Sequence, residues 1–93
     1  MLLSENIKEI KVSSKTDPKQ LASSIALFIQ DGYSVKATAI GEALKNILKA
    51  IALMNTFEHS LDVYDFQPQM GYIETPTGIM PAVVIYIAKK QLN

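Results

Sequence analysis

The chain has 93 residues, which is room for one domain, residues 1–93, and no second. It has no cysteine and one histidine, which excludes disulfides, thiolate zinc sites, cysteine nucleophiles and a histidine-built metal cluster. Nine lysines balance nine acidic residues without any arginine, so the basic surplus and the bidentate guanidinium common in nucleic-acid binders are both missing.

Residues 1–6 form an N-terminal tail of two leucines followed by polar residues, without the long apolar core of a secretion signal. No apolar run approaches the ~18 residues of a membrane-spanning helix. With the lack of cysteine, these features lead us to expect a cytoplasmic protein without a membrane partner.

Residues 7–13 predict a strand of imperfect period, with Ile7, Ile10 and Val12 among lysines. Residues 14–16 form a loop. Asp17-Pro18 then signals a helix start: Asp17 accepts from the first free N–H groups, Pro18 fits the first helical position, and Gln20 can reach back as in a capping box. Leu21, Ile25, Phe28 and Ile29 recur at helical spacing, and Gly32 supplies the stop, so the helix is predicted over 18–31.

Residues 33–40 read as a second strand, with Val35, Ala37 and Ala39 on one face. A second helix follows from Glu42 to about Asn55, with Leu44, Ile47, Leu48, Ile51 and Met54 or Asn55 as its apolar stripe. Ala50 and Leu53 widen that stripe and suggest burial against another subunit. Lys45 and Lys49 stand four apart on a more polar side.

Residues 61–67 and 79–90 read as strands three and four. The stretch between them is too long for a tight turn, so residues 67–81 form either an extended hairpin arm or a flexible loop, with Gly71 and Gly78 shaping the turn. The fourth strand is apolar on both faces, as a central strand is. The order strand, helix, strand, helix, strand, strand gives a two-layer α/β sandwich. Its mixed four-stranded sheet carries both helices on one face and leaves the other uncovered.

Nothing in the chain marks an enzyme. There is no Ser-His-Asp arrangement, no glycine-rich phosphate loop and no metal cluster, and Asp62 and Asp65 point to opposite faces of a strand. No catalytic residue, metal or cofactor is expected. His59 either ends the second helix or faces water.

Two stretches, IKVSSKTDP and VKATAIGEALKNILKAIALMNTF, resemble the stage V sporulation protein S family of bacteria, a branch of the Alba-like superfamily. The resemblance spans roughly residues 7–90. Its most specific part is the pattern carried by Ala39, Gly41, Ala43, Lys45 or Asn46, Lys49 and Ala50 at the strand-to-helix seam. It implies an Alba-like fold and a homodimer. It also implies nucleic-acid contact by the loop after the first strand, the start of the second helix and the long hairpin. In this sequence those places are Ser13, Ser14, Lys15 and Thr16; Gly41 to Lys45; and residues 67–81. Where archaeal members carry arginines around the seam glycine, this chain has Ile40 and Glu42, and its hairpin has Glu74 and no lysine.

Ligands of open α/β sheets collect where strands deliver the chain to helix N-termini, so the loop and the seam would share one rim. The candidate nucleic-acid-binding residues are Ser13, Ser14, Lys15, Gly41, Lys45 and Tyr72. Two uses of Gly41 stay open: close helix–sheet packing, the commoner one, and approach to an anion. Tyr72 either stacks on a base or packs on a second subunit. The expected function is a small regulator binding the phosphate backbone of DNA or RNA. The alternative is a protein–protein interaction module, with the uncovered sheet face or the hairpin holding a protein partner.

Overall fold

A computed structural model describes residues 6–54, 56 and 64–90. The expected helix end at Asn55, residues 61–63 of the third strand, His59, Asp62 and most of the tail lie outside them.

The elements run β1 (Ile7–Val12), α1 (Pro18–Gln30), β2 (Ser34–Ala39), α2 (Ala43–Met54), β3 (Tyr64–Thr75) and β4 (Gly78–Lys89). The strands form one sheet in the order β1-β2-β4-β3. β1 lies parallel to β2, and the β2–β4 and β4–β3 pairs are antiparallel. This is the expected mixed sheet, with the doubly apolar β4 in its interior.

Local chemistry sets the ends of α1. Asp17 Oδ1 accepts from the Lys19 N–H at 3.0 Å, and Pro18 occupies the first turn. At the other end Gly32 turns left-handed with φ 95°. Its N–H donates to the Ile29 carbonyl at 3.1 Å, and the Tyr33 N–H donates to the Phe28 carbonyl at 2.9 Å. These two bonds make a Schellman stop. The hydrophobic contact of that motif is also present: the Phe28 and Tyr33 rings meet edge to face, centroids 6.2 Å apart. Lys8 lies over both rings, 4.9 Å from the Tyr33 centroid, at the end of a helix that favours a cation.

The core lies between the sheet and the helices. Ile25 and Ile47 from the helices and Val35 and Ile87 from the sheet are fully buried. Each such side chain contributes roughly 1.5–3 kcal/mol relative to exposure. The inner face of α2 is not the expected leucine stripe. Ala43, Asn46, Ile47, Ala50 and Met54 point inward, while Leu44 and Ile51 are half-buried and Leu48 is exposed. Small residues win the inner face because α1 and α2 pack on one another, and Ala22 of α1 is fully buried as well. Ala50 therefore belongs to the core and not to a second surface. Helical spacing turns Leu44, Leu48 and Ile51 to one flank of α2, and Lys49 and Leu53 to the flank nearer the start of α1.

The stretch read as arm or loop is an arm. β3 and β4 pair without interruption from Tyr64↔Lys89 to Thr75↔Gly78, leaving Pro76 and Thr77 as a two-residue turn. The connection is tight after all, because most of the supposed loop is strand. Gly78, at φ 136°, shapes the turn as expected, and Thr75 Oγ1 donates to its carbonyl at 2.8 Å. Gly71 does not shape it. It sits inside β3, where an added Cβ would come within 3.0 Å of Val84 Cγ2. Prolines are tolerated for positional reasons: Pro68 lies on the edge strand, and Pro81 lies beyond the residues of β4 that pair with β2.

Candidate nucleic-acid interface

β1 and β2 end side by side at Val12 and Ala39, so the loop after β1 and the seam after β2 leave from the same end of the sheet. The arm projects from that end too. β4 pairs with β2 at Val83↔Ala39, and residues 78–82 continue past the last rung. At ~3.4 Å per residue the tip stands about 17 Å beyond the seam. All three elements expected at the site therefore surround one rim.

One side chain fastens the rim together. Asn46 is buried on the inner face of α2, and its Nδ2 donates to the Ser13 carbonyl at 3.0 Å. The bond holds the loop after β1 against the first turns of α2, one residue from Lys45. The loop is braced internally as well. The Thr16 N–H donates to the Ser13 carbonyl at 3.1 Å, and the Ser13 N–H donates to Thr16 Oγ1 at 2.9 Å. The Lys15 N–H donates to Ser13 Oγ at 3.2 Å, and the Ser13 and Thr16 hydroxyls are 3.3 Å apart. Ser13 thus works within the loop, while Ser14 and Lys15 are exposed at its surface.

The seam resolves the question of Gly41. Its φ is +54°, and an added Cβ would meet nothing within 4 Å. Packing is not the reason for the glycine: it is exposed, and it is needed for a left-handed turn. Nor does the seam offer a row of free amides. The N–H groups of Ala43, Leu44 and Lys45 donate to the carbonyls of Ile40, Gly41 and Glu42 at 3.0, 3.1 and 3.3 Å. With Asp17 capping α1, both helix beginnings are largely self-satisfied. What the rim presents instead are the exposed side chains of Ser14, Lys15 and Lys45.

Tyr72 is 66% exposed on the arm, directly across from Pro81. It falls on the side of the sheet that carries Ile85 and Ile87, the side of the helices. Met70 and Ile79, 78% and 68% exposed, share that side. The helices pack over β1 and β2, so the arm extends with this face uncovered by any described element. On this face Tyr72 has Met70, Ile79 and Pro81 beside it together with Glu74, and no lysine lies on the arm.

Sequence reasoning missed Asn46 as a fastener, although it stood in the motif. The signal was its spacing: with Ala43, Ile47, Ala50 and Met54 it completes one helical face. Among the described residues no group of acidic and histidine side chains suited to a metal ion occurs, and no helix is long and apolar enough to cross a membrane.

An α/β sandwich of this order, with a long β3–β4 arm projecting from the end of the sheet where β1 and β2 finish, is an Alba-like fold. The solved structure of Alba from Thermoplasma volcanium matches it with a TM-score of 0.59 at 9% identity, over 90% of this chain and 100% of that one. The family model for stage V sporulation protein S (SpoVS) matches residues 8–89, and the chain belongs to that family. Among curated proteins nothing matches the sequence. Membership of that family supports a small regulatory protein.

Proposed function

We propose that this SpoVS-family chain is a non-enzymatic regulator that binds DNA or RNA as a homodimer in the cytoplasm, holding the phosphate backbone at the rim. Lys15 and Lys45 supply the ammonium groups, Ser14 and Gly41 line the approach, and Ser13 keeps the loop in shape. The observation that carries this reading is the Asn46–Ser13 hydrogen bond, which ties the loop to the first turns of α2. Asp17 and Glu42 stand in the same region, and the chain has no net charge, so affinity is modest and salt-sensitive.

The test is a titration of labelled single-stranded and duplex oligonucleotides across a salt series. The log–log slope is expected to be shallow, near −0.9 per phosphate contact on duplex DNA, and Lys15→Glu is expected to weaken binding and flatten that slope by about one contact. Absence of binding to DNA and RNA at about 20 mM salt would end the proposal, since screening is weak there.

The second subunit is argued from surface. Met70, Tyr72 and Ile79 on the arm and Leu48 on α2 are apolar and open, and a second copy would cover them. The same exposed residues favour the protein-interaction reading, in which a different protein takes that place. A pull-down insensitive to nuclease separates the two.

A further inference from the structure

A groove of about 430 Å³ runs between the start of α1 and the outer flank of α2, lined by Asp17, Pro18, Lys19, Lys49, Ala52 and Leu53. We propose that it docks an acidic peptide segment of a protein partner, with aliphatic side chains on the groove floor and carboxylates against Lys19 and Lys49.

The size falls within the roughly 300–1,000 Å³ of ordinary ligand sites. Pro18, Ala52 and Leu53 give an aliphatic floor, and Leu53 itself is seated against the core, so the floor is firm. The two lysines come from different helices, and their stems can lie along apolar surface with the charged heads at its edge. The one carboxylate present, Asp17, accepts from the Lys19 N–H through Oδ1, so it is held by its own helix. Two ammonium groups against one engaged carboxylate leave the walls net positive. This combination suits aspartate or glutamate interleaved with leucine or isoleucine. It suits nucleic acid poorly: no aromatic ring lines the groove to stack a base, and the Lys19 amide that would meet a phosphate already has its acceptor. The groove is separate from the apolar arm and does not depend on the rim binding phosphate.

The test uses the isotope-labelled full chain and, as probe, a synthetic capped peptide in which pairs of glutamates alternate with pairs of leucines. Amide resonances of Asp17, Lys19 and residues 49–53 are expected to move together on titration. Lys19→Glu with Lys49→Glu is expected to weaken binding at least tenfold, the order seen when a charge pair in an interface is broken. Lys89→Glu with Lys90→Glu makes the same charge change elsewhere and is expected to bind as wild type. Circular dichroism checks that each variant is folded, and the wild-type map still decides where the peptide sits if a variant does not fold. Shifts confined to the arm, equal losses in both charge variants, or no shift at millimolar peptide would overturn the proposal. So would groove shifts produced by a single-stranded oligonucleotide in place of the peptide.

Discussion

Asn46 and Ser34 are the polar side chains admitted to the interior among the described residues. Asn46 is there because its amide meets the Ser13 carbonyl, and that single bond joins two segments 33 residues apart. Asn46→Ala is expected to cost about 1–2 kcal/mol, the usual loss when a buried partner is left unsatisfied. It would appear as a lower urea midpoint at unchanged slope. Asn46→Asp sets a carboxylate against a carbonyl and is expected to be worse than alanine. Gly41 makes a contrasting case. Open space surrounds it, so Gly41→Ala meets no clash and pays only for its left-handed φ, about 1 kcal/mol, while Gly41→Asn costs less.

At the scale of elements, what was legible in the sequence was what local chemistry decides. Asp17-Pro18 and Gly32 bracket α1 because caps act within one turn, and Asp17→Ala is expected to lower stability by about 1 kcal/mol in the same urea experiment. The inward face of α2 was not legible. Leucines make the stronger stripe by hydropathy, but burial in the core shared by α1, α2 and the sheet selects Ala43 and Ala50, and that is a tertiary choice. The arm was half legible. Pro68, Gly71, Pro76 and Gly78 fall in a stretch that read as arm or loop, yet an edge strand accepts proline, and β3–β4 pairing overrides the rest. The apolar side of that ribbon makes its own prediction. Met70→Lys with Ile79→Lys is expected to leave the circular dichroism spectrum intact and shift sedimentation from dimer to monomer.

Across the whole molecule, the candidate site was legible as a rim and less so as a chemistry. Loop, seam and arm emerge from one end of the sheet, as the order of strands requires. The start of α2 offers few free amides, because backbone carbonyls at 40–42 take those protons, a detail of turn geometry that residue types do not encode. Lysines sort by position instead. Lys15 and Lys45 stand at the rim, Lys19 and Lys49 flank the groove, and Lys36 pairs with Glu9 at 3.4 Å on the opposite sheet face. At the rim Asp17 and Glu42 offset Lys15 and Lys45, so the field of each ammonium group is local and fades within a Debye length of about 8–10 Å in ordinary buffers.

The β3–β4 ribbon also bears on the order in which the protein assembles. A hairpin closed by two residues zips on the microsecond scale, whereas joining β2 to β4 must first bring Ala39 to Val83 across the intervening chain. The ribbon is thus the natural early template, and β2 arrives on a strand already in place. Substitutions at the Pro76–Thr77 turn should then slow refolding more than they speed unfolding, while Ile25→Val in α1 should mainly hasten unfolding. A pair of chevron plots would separate the two behaviours.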